Sequence, residues 1–99
     1  MKKRIHITGA SGFVGSNLCN ILKHSYLVEG SGRGDYSPSE LTKYFSHDWR
    51  QPPPHEGRVL ADVDTVIHCV GLAHEVLSQS DVNDYYEANV NTTINVFSE

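Results

Sequence analysis

Thr8-Gly9-Ala10-Ser11-Gly12-Phe13-Val14-Gly15 carries the strongest fold signal in this 99-residue chain. Its three glycines follow an apolar strand and open a segment whose apolar residues recur at helical spacing. Gly9 permits a tight strand-to-helix turn, Gly12 lets the main chain approach a pyrophosphate, and Gly15 allows the helix to pack closely on the strand. The N–H groups at the helix start then face the anion. The segment predicts a dinucleotide-binding turn; the alternative is a glycine turn without a ligand.

Composition limits the chain to one small domain. The 8 basic and 12 acidic residues give a net charge of −4, which argues against a nucleic-acid surface. No segment approaches the roughly 20 apolar residues of a membrane span, so no membrane partner is expected. Cys19 and Cys69 suggest neither a disulfide framework nor, with the histidines, a metal site. Free buried thiols in a cytoplasmic protein are the expectation.

Strands and helices alternate along the sequence. Their order predicts a doubly wound parallel sheet, in the α/β class, with right-handed crossovers. The expected strands are Arg4–Thr8, Tyr26–Ser31, Tyr44–His47 and Val63–Val70; the expected helices are Phe13–His24, a short turn from Pro38 or Ser39 to Leu41, another at Gly57–Ala61, and Val82 to the end.

Two details of these elements carry their own predictions. The last helix places an apolar stripe along one face. The stripe consists of Val82, Tyr86, Val90, Ile94 and Phe97. His6 interrupts the first strand, and we expect a neutral, hydrogen-bonded core histidine there.

Three segments in order resemble a known family. They are the glycine segment Thr8–Gly15, Asp64-Thr65-Val66-Ile67-His68, and Asn89-Val90-Asn91-Thr92-Thr93. Together they resemble the extended short-chain dehydrogenases/reductases, and more narrowly the NAD-dependent epimerases/dehydratases that act on nucleotide sugars. The resemblance implies a Rossmann-type sheet that is truncated after its fourth strand and following helix. Residues 1–99 are then expected to be the N-terminal part of an NAD(P)-binding domain.

The glycine turn and the resemblance together give a set of expected cofactor-binding residues. Phe13 and Val14 would offer backbone N–H groups to the pyrophosphate, and His68 to Leu72 would run past the ribose and pyrophosphate. The set is Gly9, Ser11, Gly12, Phe13, Val14, Gly15, Arg33, Asp48, Trp49, Cys69, Val70, Gly71, Leu72 and Asn89.

The end of the second strand sorts NAD from NADP in proteins of this kind. Many NAD users carry an aspartate there that binds the ribose hydroxyls. Here the matching positions are Gly32 and Arg33, and the guanidinium of Arg33 suits a 2′-phosphate. The resemblance therefore favours NADP over NAD. The alternatives are that Arg33 is a solvated loop cation, or that Asp35 pairs with it or replaces the missing acid.

Three further residues take roles from the resemblance. Asp48 matches an acid that accepts from the adenine amine, and Trp49 follows it. Trp49 either stacks on the adenine or covers the sheet edge. Asn89 matches a helix asparagine that stabilises the active-site backbone, with an ordinary polar helix face as the alternative.

The catalytic groups that the resemblance implies do not occur in the sequence. The family's chemistry needs a Tyr-x-x-x-Lys pair, and none of the five tyrosines here has a lysine four residues later. The chain is thus expected to be the cofactor half of an enzyme, inactive by itself, with a nucleotide sugar as substrate and a homodimer as the intact state. The alternatives are an NADP-dependent carbonyl or sugar reductase, and a non-catalytic NAD(P)-binding sensor. Isolated, the chain is expected to be marginally stable or self-associating.

Overall fold

Four parallel strands form one sheet in a computed structural model that describes residues 2–33, 41–53, 59–70 and 87–98. The strand order is β3-β2-β1-β4, so the first strand lies inside the sheet between the second and fourth. This is the predicted Rossmann-type arrangement. The elements are β1 (Arg4–Thr8), α1 (Phe13–Leu22), β2 (Leu27–Gly32), β3 (Tyr44–Ser46), β4 (Thr65–His68), a π-helical turn (Glu87–Asn91) and α2 (Thr92–Ser98).

The expected strands and first helix are confirmed with small shifts at their ends. The first helix ends two residues early, because Lys23 caps it and the chain turns back over Leu22. The fourth strand is shorter than its apolar run. Two short helical turns were expected, one ending at Leu41 and one at Gly57–Ala61. In their described part, Leu41 and residues 59–61, the chain is not helical. The rest of both turns falls in residues 34–40 and 54–58, which lie outside the described residues.

One face of the sheet is apolar and packs on α1. Side chains alternate between the two faces along a strand, so Ile5 and Ile7 of β1 share a face with their neighbour Val28 of β2. These three residues, together with Ala10 and Cys19, form the buried core cluster. Burial of this cluster positions α1, and therefore the glycine turn that precedes it.

The opposite face of the same strands is polar and equally buried. His6 of β1 pairs in register with Glu29 of β2, and Thr8 pairs with Ser31 and with His68. His6 is fully buried and hydrogen-bonded to Glu29 and Ser31, as expected of a core histidine. Buried polar groups are tolerated when each has a partner, and this face is therefore held by hydrogen bonds rather than by apolar contact.

The apolar stripe of the last helix does not pack on the sheet where the structure describes it. Val90, Ile94 and Phe97 are exposed, with 77% of Phe97 open to solvent. Thr92 and Val96 are buried instead. The helix turns its small polar side toward the polar face of the sheet, where hydroxyl groups find partners. Residues 82–86 lie outside the described residues.

Among the described residues, no helix has both the length and the apolar character needed to cross a membrane.

Candidate functional site

The glycine turn is fixed by hydrogen bonds to the end of β2. Gly9 has a φ of +72°, a conformation that favours glycine. The N–H groups of Gly9 and Ala10 both donate to the Ser31 carbonyl, at 2.8 and 3.1 Å. Gly12 N–H donates to Gly9 O at 3.0 Å and closes the turn. The turn therefore has one defined shape, as a pyrophosphate cradle requires.

Gly15 allows α1 to touch the turn that precedes it. A Cβ at this position would lie 2.1 Å from Gly9 O and 2.8 Å from Gly9 C. Real contacts of this kind are far longer, so no side chain fits without moving backbone. The helix start is thereby held directly against the turn.

A cleft of about 300 Å³ opens at the carboxyl ends of the strands, beside this turn. Such a volume is typical of small-molecule sites, and the carboxyl edge of a parallel sheet is where ligands bind in this architecture. Its lining comes from the turn and from the ends of β2, β3 and β4. The lining residues are Gly9, Ser11, Gly12, Gly32, Arg33, His47, Trp49, Cys69 and Val70. The structure thus brings seven of the fourteen expected residues to one cleft.

The start of α1 offers the cleft backbone donors. Gly12 is the N-cap, with extended backbone, and α1 begins at Phe13. The first N–H groups of a helix have no partner within the helix and carry partial positive charge. The side chains of Phe13 and Val14 are exposed, so what these two residues can give an anion is backbone N–H.

Two features mark the end of β2, where many NAD users carry an acid. Gly32 has no side chain, and a Cβ there would lie 2.9 Å from Tyr44 Oη and 3.3 Å from Ser11 Oγ. The space an acidic side chain would need is therefore partly filled. Arg33 lines the cleft next to it and is close enough to contribute to lowering the pKa of Asp48.

Asp48 is engaged by its neighbour Arg50. The guanidinium donates through Nη2 at 2.8 Å and through Nε at 3.1 Å, and Arg50 N–H donates to Oδ1 at 3.0 Å. These hydrogen bonds hold the pKa of Asp48 below its usual value, although partial burial opposes them. The carboxylate is thus charged and oriented beside the cleft, where further lone pairs can accept.

Trp49 is buried in the cleft wall. Its side chain is 1% exposed, and its indole Nε1 donates to Ser31 Oγ at 2.8 Å. An adenine needs an open ring face for stacking, so this burial favours the second role considered for Trp49, covering the end of the sheet. The ring of His47 meets it edge to face, with centroids 4.6 Å apart.

Sequence reasoning missed His47 as a site residue. It lines the cleft, its N–H donates to Gly32 O at 2.9 Å, and its buried Nε2 has no hydrogen-bond partner within the described part of the chain. The available signal was its place directly before Asp48.

A hydrogen-bonded clamp joins the glycine turn to the chain after β4. Cys69 N–H donates to Thr8 Oγ1 at 3.1 Å, and Thr8 Oγ1 lies 2.6 Å from His68 Nδ1. His68 Nε2 lies 3.1 Å from Thr93 Oγ1, which itself donates to Asn89 O at 2.7 Å. Because the Thr93 hydroxyl is the donor to Asn89, it accepts from His68 Nε2–H. In the neutral form of His68, Nδ1 is then the acceptor, and the Thr8 hydroxyl donates to it.

Burial favours the neutral form of both His68 and Cys69. It lowers the pKa of His68 and raises the pKa of the Cys69 thiol, because the charged form of each side chain loses solvation. Cys69 and Val70 accordingly offer the cleft backbone and uncharged surface. Their backbone atoms lie 3.0 Å from where a Gly9 Cβ would stand, so the two walls are in direct contact.

The remaining expected residues are less central. Asn89 is exposed, and its carbonyl accepts from Thr93 Oγ1, which in turn lies beside His68. Gly71 and Leu72 lie outside the described residues.

Solved structures with the same fold include three sugar-nucleotide or sugar enzymes. A glucuronic acid dehydrogenase from Chromohalobacter salexigens is 27% identical to this chain, with a TM-score of 0.75. The match covers 99% of this chain and 36% of the dehydrogenase. A UDP-glucuronic acid 4-epimerase variant from Bacillus cereus is 23% identical, with a TM-score of 0.77; its structure holds UDP-4-deoxy-4-fluoro-glucuronic acid and NAD. That match covers 96% of this chain and 35% of the epimerase. A UDP-N-acetylglucosamine 4-epimerase from Methanobrevibacter ruminantium is 22% identical, with a TM-score of 0.74 and coverage of 99% and 34%.

The chain therefore spans about a third of the length of the structures it matches. No curated protein sequence matches it. A family model, in contrast, matches residues 5–99, nearly the entire sequence. That match covers the glycine turn, all four strands and the last helix, and on this ground the chain belongs to the NAD dependent epimerase/dehydratase family.

Proposed function

We propose that this chain is the cofactor-binding part of an NAD(P)-dependent nucleotide-sugar epimerase or dehydratase. The observation that carries the proposal is the glycine turn, in which Gly9 has a positive φ and Gly15 admits no Cβ, placed at the rim of the cleft. A turn that served only to reverse the chain would not need a helix start held against it. Epimerases in complex with UDP-sugars among the structural neighbours support the substrate class.

The residues present fit a dinucleotide. Backbone N–H groups of Phe13 and Val14 would hold the pyrophosphate at the start of α1, with Ser11 beside it. Asp48 would accept from the adenine amine, and the backbone of Cys69 and Val70 would line the path towards the nicotinamide. Bound there, the nicotinamide would take hydride from a sugar carbon and return it. The proton transfer that accompanies it would need groups beyond those in this sequence.

NADP is the form of cofactor that we propose. Three observations support it: Gly32 carries no acid, Tyr44 Oη partly fills the space an acid would use, and Arg33 lines the cleft. An acid at this position selects for the free 2′-hydroxyl of NAD, whereas an arginine compensates the charge of a 2′-phosphate.

Titration calorimetry with NADP+ and NAD+ tests both parts of this proposal. We expect the chain to bind both cofactors and NADP+ more tightly. Arg33→Ala should weaken NADP+ by about 10- to 100-fold, the value of a charge-assisted contact, and leave NAD+ unchanged. Arg50→Ala is the matched control, since Arg50 orients Asp48 at the adenine end that both cofactors share, and it should affect both equally.

Two results would contradict the proposal at different levels. If neither cofactor binds, the cofactor-binding function is wrong. If both bind and Arg33→Ala changes them by the same factor, only the NADP preference is wrong. For the substrate class, the test is conversion of UDP-sugars by a longer protein that contains this chain.

We also propose that the intact protein is a cytoplasmic homodimer. Two cysteines free of disulfide bonds support the compartment, and the exposed apolar stripe of Val90, Ile94 and Phe97 supports self-association. Sedimentation of the chain should show a dimer that Phe97→Ser and Ile94→Ser dissociate. A monomer at all concentrations would refute this part.

A further inference from the structure

A chain of buried hydrogen bonds leads from the middle of the sheet to the cleft wall. Glu29 Oε2 lies 2.8 Å from His6 Nδ1, and His6 Nε2 lies 2.8 Å from Ser31 Oγ. Trp49 Nε1 donates to the same Ser31 oxygen at 2.8 Å. All four residues are at most 3% exposed, and Trp49 alone lines the cleft. We call these four residues the buried relay.

One set of hydrogen positions matches every contact of the buried relay. The indole N–H is only a donor, so Ser31 Oγ accepts from Trp49. In this set Ser31 gives its hydroxyl hydrogen to His6 Nε2, the other partner of that oxygen, and His6 donates from Nδ1 to Glu29 Oε2.

A carboxylate, an imidazole and a hydroxyl in this order also make up a serine nucleophile. Here that chemistry is blocked, because Ser31 is fully buried and its oxygen already accepts from the indole. No substrate atom can approach Oγ. The relay is thus suited to holding Trp49 in place.

Trp49 in turn contacts α2 and His47 at its end of the cleft. Its carbonyl accepts from Asn95 Nδ2 of α2 at 2.9 Å, and its ring packs against the edge of His47. His47 is joined to Gly32 through a backbone hydrogen bond, and all three of Gly32, His47 and Trp49 line the cleft. A shift of the indole would therefore move the wall where the adenosine half of a dinucleotide is proposed to lie.

We infer that Ser31 and His6 are positioning residues that fix Trp49, and that affinity for the adenosine half of the cofactor depends on them. The affinity part rests on the proposed function. The positioning part concerns the protein alone and stands independently of any ligand.

Trp49 is the only tryptophan in the chain, so its fluorescence reports this site directly. We would measure time-resolved anisotropy of the indole and calorimetric binding of ADP-ribose, which has the adenosine half but no nicotinamide. Ser31→Ala should give the indole fast internal motion and weaken ADP-ribose by about 5- to 10-fold, the worth of a lost buried hydrogen bond. Cys19→Ala is the matched control, since it also removes one buried heavy atom, but from the core cluster. It should change neither readout.

His6→Leu combined with Glu29→Leu repeats the test from further along the relay without leaving a buried carboxyl unpaired, and serves if Ser31→Ala does not fold. It leaves the Ser31–Trp49 contact possible but removes the His6 partner of the hydroxyl, so the same two changes are expected at smaller size. An indole as rigid as in the unaltered protein in these variants would overturn the positioning role. A loosened indole with unchanged ADP-ribose affinity would overturn its link to binding. If the unaltered chain binds neither ADP-ribose nor NADP+, the proposed function and the affinity part fail together, and the anisotropy still decides the positioning part.

Discussion

Gly15→Ala should destabilise the chain by about 2 kcal/mol. The new methyl carbon would stand 2.1 Å from Gly9 O, about 1.3 Å short of ordinary contact at 3.4 Å. Both opposing groups are backbone, so no side-chain rotation relieves the clash. Overpacking costs about 1–3 kcal/mol, and a clash with fixed backbone belongs at the upper end of that range, while the better helix propensity of alanine returns up to about 1 kcal/mol. For a domain of this size, a net loss of about 2 kcal/mol lowers Tm by about 8 to 16 °C.

Urea unfolding followed by circular dichroism measures the free energy of unfolding, and Gly12→Ala provides the comparison. A Cβ at Gly12 would meet only Gly9 O, at 3.3 Å, so its cost in stability should stay below about 1 kcal/mol. The Gly12 methyl would nevertheless stand at the rim of the cleft, and NADP+ binding should weaken. The reasoning fails if Gly15→Ala unfolds within about 0.5 kcal/mol of the unaltered chain.

Three further predictions concern His68, Gly32 and Asp48. Burial lowers the pKa of His68, so the unfolded chain binds a proton at this residue more readily than the folded chain does. The free energy of unfolding should therefore fall as the pH drops below about 6.5, and His68→Gln should flatten that decline in urea melts at several pH values. Gly32→Asp would place a Cβ 2.9 Å from Tyr44 Oη, so we expect the free energy of unfolding to fall by about 1 kcal/mol in thermal melts. The new carboxylate should also shift the binding preference towards NAD+, as measured by calorimetry. An unchanged ratio of the two affinities would count against the proposed selectivity. The side chains of Asp48 and Arg50 are 30% and 41% exposed, so Asp48→Asn should lower the free energy of unfolding by less than about 1 kcal/mol. The same variant should weaken the binding of both cofactors alike. Because Arg50 lowers the pKa of Asp48, the stability that the pair contributes should disappear only as the pH falls through and below about 3.8.

Local patterns were enough to predict the glycine turn and the strands that surround it. The requirement for a residue without Cβ at Gly15 follows from the spacing of the three glycines, and the structure confirms it, since a Cβ built there would clash with the Gly9 backbone. The apolar alternation of Ile5 and Ile7 likewise defines β1 and the face that packs on α1. These signals are contained within about ten residues, so no long-range information is needed to interpret them.

The polar face of the sheet could not be predicted in the same way. His6 and Glu29 become neighbours only through the register of β1 on β2, across 23 residues of sequence. That register is set by the whole sheet, and neither residue is unusual in its local context. The exposure of the apolar stripe of α2 has the same origin, because the partners that α2 finds on the sheet side are polar: His68 and the Trp49 carbonyl. Helical periodicity identifies a stripe without identifying what covers it.

The position of β1 inside the sheet has a consequence for the order of folding. Its pairing with β2 joins residues 23 apart in sequence, whereas its pairing with β4 joins residues 60 apart. Closing the longer loop costs about 0.8 kcal/mol more chain entropy. The β1–α1–β2 unit should thus assemble first and β4 dock onto it afterwards, so that amide hydrogens of β4 exchange with solvent through a partial opening while those between β1 and β2 await global unfolding. The clamp that ends β4 would then be the last part of the cleft to form during folding.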